Sequence, residues 1–399
     1  MKFRTIRATS TAVALTGLLC TLATAPAQAA TTPVGWEGSA LSLSAAQQLS
    51  QGDGVTVAVL DSGVYADHPA LKGKVTTGPD YFKDGLKAGD SEWGQHGTAM
   101  ASDVLKVAPK AKILSVRVID DKHEEERTQE ELEESFRKGN NPIADGINYA
   151  VEHGADVITM SLGSDNLFSS YAEDEAAALA FAARQGVTVL ASAGNAGDVL
   201  NGASYPAGYA GVIAVAATQQ NGTRAEFSTV HTYNDVAAPG VDIISATNTG
   251  GYKQGNGTSP ACALAAGVVA LMKAKNPKLT PAQVNDVLIA TTHRPAGGGS
   301  ALLGYGRINA AAAVKAAVSP PKDETGPVAY KGKEHLATPD GTPKTTHPEM
   351  EQEVWLTGLV AAGVGLASLA GGVLLAWSGR RKPAARTPSV MQPQGPFPA

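Results

Sequence analysis

The sequence predicts an α/β protein: a three-layer α/β/α domain over residues 55–318, built on a mostly parallel, doubly wound sheet. Three observations predict it. Six short apolar runs recur along this stretch: "VTVAVLD" (55–61), "AKILSVRVID" (111–120), "ADVITMSLG" (155–163), "VTVLASAGN" (187–195), "VIAVAAT" (212–218) and "VDIISAT" (241–247). Each is near-continuous rather than alternating, as strands buried on both faces are. Between and after them lie Ala-rich stretches of helical length, 94–107, 142–153, 171–185, 258–275 and 281–292, and strands alternating with helices make a covered parallel sheet. The composition fits this, with 43% hydrophobic residues, 5% aromatic and 44 Gly in 399 residues, so a large core is packed with small side chains.

Both ends carry targeting signals. Lys2, Arg4 and Arg7 precede an apolar run and then "APAQAA". A charged start, a short apolar region and an Ala-x-Ala site read as a signal peptide over residues 1–29, cleaved after Ala27-Gln28-Ala29. Cys20 leaves with it, so Cys262 is the single cysteine that stays and no internal disulfide forms. Residues 30–54 are then an N-terminal extension.

Toward the other end, residues 354–377 contain no charge. As a helix they span roughly 36 Å, against a hydrocarbon core of about 30 Å. Trp355 and Trp377 sit at the edges, and Arg380, Arg381, Lys382 and Arg386 follow. By the positive-inside rule the tail, 378–399, is cytoplasmic and the domain faces outward on a single-pass anchor. Residues 319–353, rich in Pro, Lys, Asp, Glu and Thr, read as a flexible linker. "DDKHEEERTQEELEESFRK" (120–138), with nine acidic and four basic residues, reads as a solvated surface insertion. The net charge of −5 argues against nucleic acid as a partner.

Chemistry is expected beyond the carboxyl ends of the strands. "GNGTSPACALAAG" (255–267) places Ser259 before Pro260. Ser-Pro is an ordinary helix opening, and a nucleophile on a sharp turn before a helix looks the same locally. A serine nucleophile needs a base, and the base needs a carboxylate to fix its tautomer. Among the eight His, only His96 lies in a glycine-rich setting that opens a small-residue helix, "GQHGTAMAS". Asp61 closes the run "VAVLD" and turns at once into Ser62-Gly63. A carboxylate so placed is partly buried and needs a partner, although a turn cap is the plain alternative. Asn195, ending "VLASAGN", is either a turn residue or an amide aimed at an oxyanion.

"VAVLDSGV", "QHGTAMAS" and "GNGTSPACALAAG", in the order Asp, His, Ser, closely resemble the signature motifs of the subtilisin-like serine proteases. "ITMSLGS" and "ASAGNAGD" resemble two further family segments, so the likeness covers about 55–318. The resemblance implies Asp61 orienting His96, His96 as general base and acid, and Ser259 as nucleophile. It implies an oxyanion hole of the Asn195 side chain and the Ser259 N–H. It also implies substrate binding along Ser161, Leu162 and Gly163, with Ser192, Ala193 and Gly194 as the other pocket wall. Asp67-His68-Pro69 resembles a family segment whose His is structural. Ala99 stands where many members have a second His, as it does in the mycosins, and Ala263 and Pro260 replace the usual later proline. The extension is too short for a folding prodomain.

A protease domain with a membrane helix and basic tail resembles the mycosins, which are associated with type VII secretion. Mycosins usually contain disulfides, which this chain cannot form internally. The expected activity is therefore serine endopeptidase action on protein or peptide substrates at the membrane, without cofactor or metal. No dense Asp ladder suggests calcium. The alternative is a scaffold of the secretion machinery with proteolysis secondary. A dinucleotide-binding reading of "GNGTSPA" fails for want of a third glycine.

Overall fold

The computed structural model describes residues 31–121, 141–163, 171–294, 298–324, 326–327 and 352–378. The signal peptide, the acidic insertion from residue 122, most of the linker and the basic tail lie outside them. A seven-stranded, wholly parallel sheet organises the domain. Its strands are β1 (Thr56–Asp61), β2 (Val75–Asp80), β3 (Lys112–Arg117), β4 (Val157–Met160), β5 (Thr188–Ser192), β6 (Ile213–Thr218) and β7 (Asn234–Pro239), in the order β2-β3-β1-β4-β5-β6-β7. The chain winds one way from β1 to β3 and β2, and the other way from β4 to β7. The strand order therefore reverses beside β1, where open α/β sheets form a crevice.

Helices cover both faces. On one side lie α3 (Gln95–Val107) and α6 (Thr258–Lys275); on the other lie α4 (Pro142–Glu152) and α5 (Glu173–Arg184). Helix α6 is apolar all round and almost entirely buried, as a helix through the middle of a large domain must be. Small residues let α3 approach it: a Cβ on Gly267 would collide with Val107 and the Val104 carbonyl. The predicted helix 258–275 is the observed one to the residue.

Two differences from the expected layout matter. Residues 243–246 form no part of the main sheet. As β8 (Ile243–Ala246) they pair antiparallel with β9 (Tyr252–Gly255) in a hairpin packed on α3. The main sheet instead takes β2 and β7, which lack the continuous apolar run of the interior strands. Part of the N-terminal extension packs onto the domain. Its helices α1 (Glu37–Ala40) and α2 (Leu43–Leu49), with the link between them, put Leu41, Leu43 and Ala46 into the main core. After α6 come α7 (Pro281–Thr291), opened by a Thr280–Gln283 capping box, and α8 (Ala310–Ala316), which packs on α2. Helix α9 (Gln352–Ser378) includes Trp355–Leu375, long and apolar enough to cross a membrane by length and composition.

Candidate active site

Asp61 is the last residue of β1 and is fully buried. Its carboxylate accepts the Ser62 N–H (2.8 Å) and faces His96 Nδ1 at 2.8 and 3.0 Å. A carboxylate facing Nδ1 this closely selects the tautomer protonated there and leaves Nε2 to accept a proton. Burial disfavours the imidazolium, but the Asp61 charge and hydrogen bond, then Asp121 and Asp103, outweigh it and hold the His96 pKa above its ordinary value. The ring keeps about a third of its surface exposed (36%), so its outer edge is reachable.

The close approach of these two residues depends on Gly97. A Cβ there would run into the Gly63 carbonyl and press on Asp61 Cβ. Gly97 N–H donates to Ser62 Oγ (3.1 Å), which stitches the turn after β1 to the first turn of α3. Arg117, buried at the end of β3, braces the same turn. Its Nε donates to the Ser62 carbonyl (3.0 Å), its fork reaches Asp80 and Asp84, and its plane lies against Trp93. A bidentate guanidinium–carboxylate pair fixes geometry as well as charge.

Ser259 is the second residue of α6, whose N-cap is Gly257. It therefore does not cap the helix, and the plain helix-opening reading of Ser-Pro does not describe it. Ser259 and Ser161 pair reciprocally: Ser259 Oγ donates to the Ser161 carbonyl (3.2 Å) and Ser161 Oγ to the Ser259 carbonyl (3.0 Å). The Ser259 hydroxyl thus points at Ser161 rather than at His96; rotation about its Cα–Cβ bond re-aims it, and such bonds commonly tighten only with substrate bound. Asn195 follows β5. Its Oδ1 accepts both the N–H (2.9 Å) and the hydroxyl (3.0 Å) of Thr258. A backbone N–H can only donate, so the oxygen faces Thr258 and the NH2 end is turned away.

One open cleft of about 720 Å³ is lined by His96, Ser161, Asn195 and Ser259, with Asp121 and Lys253 also on its lining. Asp61 sits behind His96. Leu162, Ser192 and Ala193 lie beneath the cleft surface rather than on it, and the Ser192 hydroxyl donates to the Leu162 carbonyl (3.3 Å). Gly163 abuts Ser204, and Gly194 donates its N–H to Thr258 Oγ1 (3.2 Å). Thr258 is the residue that sequence reasoning missed. It stands inside the nucleophile motif, but its role depends on a chain segment 63 residues away.

The remaining groups have structural places. His68 is buried, accepts the Ala70 N–H and packs edge-on against Tyr252. His153 meets the Tyr149 carbonyl at the end of α4. Cys262 is buried beside Thr159, and burial pushes its thiol up to about 12, so it carries no thiolate at neutral pH. Among the described residues no cluster of three or more His, Cys, Asp or Glu could hold a metal ion.

A parallel sheet covered by helices on both faces, with an imidazole and a helix-start hydroxyl on one cleft and a carboxylate behind the imidazole, is an arrangement that fits the serine endopeptidase class. The chain belongs to the subtilase family (Peptidase_S8), whose model matches residues 52–307. Thermitase from Thermoactinomyces vulgaris is 34% identical over 278 residues, covering 68% of this chain and 92% of thermitase. Among solved structures, the MycP3 protease from the type VII (ESX-3) secretion system superposes with a TM-score of 0.60 at 29% identity, covering 71% of this chain and 88% of MycP3. MycP1 with its N-terminal propeptide removed gives 0.58 at 26% identity, covering 71% and 97%.

Proposed function

We propose that this serine endopeptidase works through Asp61, His96 and Ser259 on protein substrates outside the membrane, held there by its C-terminal helix. The observation that carries the reading is the buried Asp61 carboxylate on His96 Nδ1, in the cleft that Ser259 and Asn195 line.

In this reading Ser259 Oγ attacks the scissile carbonyl carbon and its proton passes to His96 Nε2. The oxyanion is met by the Asn195 NH2 and the Ser259 N–H. Collapse of the tetrahedral intermediate breaks the C–N bond, and His96 gives its proton to the leaving amine. Water then attacks the acyl-enzyme, again with His96 as base, and the acid product leaves. Asp61 stays ionised throughout and stabilises the imidazolium. Ser161, Leu162 and Gly163 bind the extended substrate, and Ser192, Ala193 and Gly194 back its pocket.

The 21 apolar residues from Trp355, with Arg380, Arg381 and Lys382 after them, support a single-pass anchor with a cytoplasmic tail. A signal peptide over 1–29 and a linker over 319–353 complete this layout. The likeness to MycP3 supports association with a type VII secretion machinery.

The test is Ser259→Ala in the full chain. Loss of casein hydrolysis and of fluorophosphonate labelling is expected, and retention of either overturns the nucleophile assignment. If Ser259→Ala still supported secretion in the native host, scaffolding rather than proteolysis would be the main task.

A further inference from the structure

The first two backbone N–H groups of α3 both donate to Asp121. Gln95 N–H reaches Oδ2 at 2.7 Å and His96 N–H reaches Oδ1 at 2.9 Å. A helix begins with four N–H groups that lack an intrahelical partner. The residue before this helix, Gly94, has no side chain to cap them. Asp121 takes those of Gln95 and His96 and Ser62 Oγ takes that of Gly97, and the regular helical ladder begins with Thr98 N–H on the Gly94 carbonyl (3.0 Å). A carboxylate is also the side chain best suited to a helix N-terminus.

The segment carrying Asp121 is tied to the same centre from the other side. It leaves β3, which runs beside β1 with Arg117 opposite Asp61. The Asp61 carbonyl accepts the Val118 N–H (2.9 Å) and the Ile119 N–H (3.4 Å). Asp61 therefore holds the imidazole by its side chain and the Asp121 segment by its backbone, while Asp121 holds the backbone of His96. The three form a closed loop around one imidazole.

We propose that Asp121 is a positioning residue for His96: a second carboxylate that fixes the backbone of the general base and adds negative charge beside its ring. This rests on His96 being the base. The charged groups that act on the ring are Asp61 from β1, Asp103 from α3 itself and Asp121 from the loop after β3, while Asp120 and Lys253 of β9 share the lining of the cleft. Of these, Asp121 is the one that also bonds the His96 main chain. Removing its charge weakens the preference for the imidazolium, and removing its acceptors loosens the ring's mounting.

The test is the pH dependence of labelling by a fluorophosphonate probe, with the full chain in detergent micelles. Ser259 Oγ forms a bond to phosphorus, the P–F bond breaks, fluoride leaves and the hydroxyl proton passes to His96. For Asp121→Asn the midpoint of the acid limb should move down by about half a pH unit. The plateau rate should fall roughly three- to tenfold. Asp121→Glu should restore the midpoint, and Asp67→Asn, which removes an exposed charge beside Lys72, should change neither quantity.

An unmoved midpoint in Asp121→Asn overturns the proposal even if the plateau falls, because a merely structural cap would lower the plateau alone. An equal shift in Asp67→Asn overturns it as well. Asp121→Ala adds a second variant; should it fail to fold, Asp121→Asn, which keeps the volume and one acceptor, carries the test. Ser259→Ala, run alongside, should not label at any pH. Labelling of that variant would overturn the nucleophile reading rather than the role of Asp121.

Discussion

Thr258 grips Asn195 by its amide oxygen, with its N–H at 2.9 Å and its hydroxyl at 3.0 Å, and so fixes which end of the amide faces away from Thr258. The same hydroxyl accepts the Gly194 N–H at 3.2 Å, which ties the segment after β5 to the start of α6. A donor that stabilises an oxyanion works because it is oriented before charge develops. In the proposed mechanism Thr258 supplies that orientation from outside the lining of the cleft. Asn195→Ala is expected to cost about 3 kcal/mol of barrier in peptide hydrolysis. Thr258→Val keeps the backbone grip and loses the hydroxyl, so it should cost about 1 kcal/mol. Turnover on a labelled protein substrate, with thermal unfolding as the folding control, checks both; equal losses would mean that the hydroxyl carries the whole orientation.

A second prediction concerns pH and stability. Lys106 Nζ lies fully buried between Glu37 Oε1 (3.0 Å) and Asp103 Oδ1 (3.1 Å) and donates to the Ile244 carbonyl (2.7 Å). Ser245 Oγ donates to the other Asp103 oxygen at 2.7 Å. This cluster joins the N-terminal segment, α3 and the β8–β9 hairpin that walls the cleft. Burial raises the Asp103 pKa to about 6, against partial lowering by Lys106. Between its unfolded value of 3.8 and about 6, the folded chain binds more protons at this residue than the unfolded chain does. The Asp103 contribution to stability therefore falls as pH rises through that window and is flat above it. Asp84, lowered by its hydrogen bond from Arg117, has the opposite sign: its contribution is present above 3.8 and lost as pH falls. The clean readout is a difference, in which Asp103→Asn gains on the wild type in melting temperature from pH 4 to pH 7. A difference that stays constant over that range would contradict the assignment.

The interior strands were legible because burial on both faces forces a continuous apolar run. β2, "VTTGPD", is half exposed at the sheet edge, so burial left no such run to find. β8 shows the converse failure, since the short, largely apolar "IISA" records burial without saying against what. Helices α1 and α2 are too short to show a helical period, so their part in the core was hidden. Asp61, His96 and Ser259 end or open an element within two residues of a glycine, and Asn195 follows Gly194 just after β5, so each stood out. Thr258 and Asp121 did not. One looks like an ordinary turn residue and the other like part of an acidic run, and only the folded sheet ends show what each holds.

The last prediction concerns the backbone contact that lets Asp61 reach His96. Beside the Ser62 hydroxyl bond, the turn after β1 and the first turn of α3 meet backbone to backbone at Gly97. Gly97 lies against the Gly63 carbonyl, and Gly63, at φ +102°, lies against the Trp93 indole. A methyl group on Gly97 must push the two turns apart, because the opposing atoms are backbone and cannot rotate away. Gly97→Ala is expected to cost about 2 kcal/mol of stability. The same displacement lengthens the 2.8 Å contact between Asp61 and His96, and labelling of Ser259 should slow by at least about tenfold. Gly73→Ala is the matched control. It also has positive φ, at +76°, but faces open space, so it should cost about 1 kcal/mol and leave labelling unchanged. If both variants label at the wild-type rate, the spacing of the two turns is not what holds the imidazole in place.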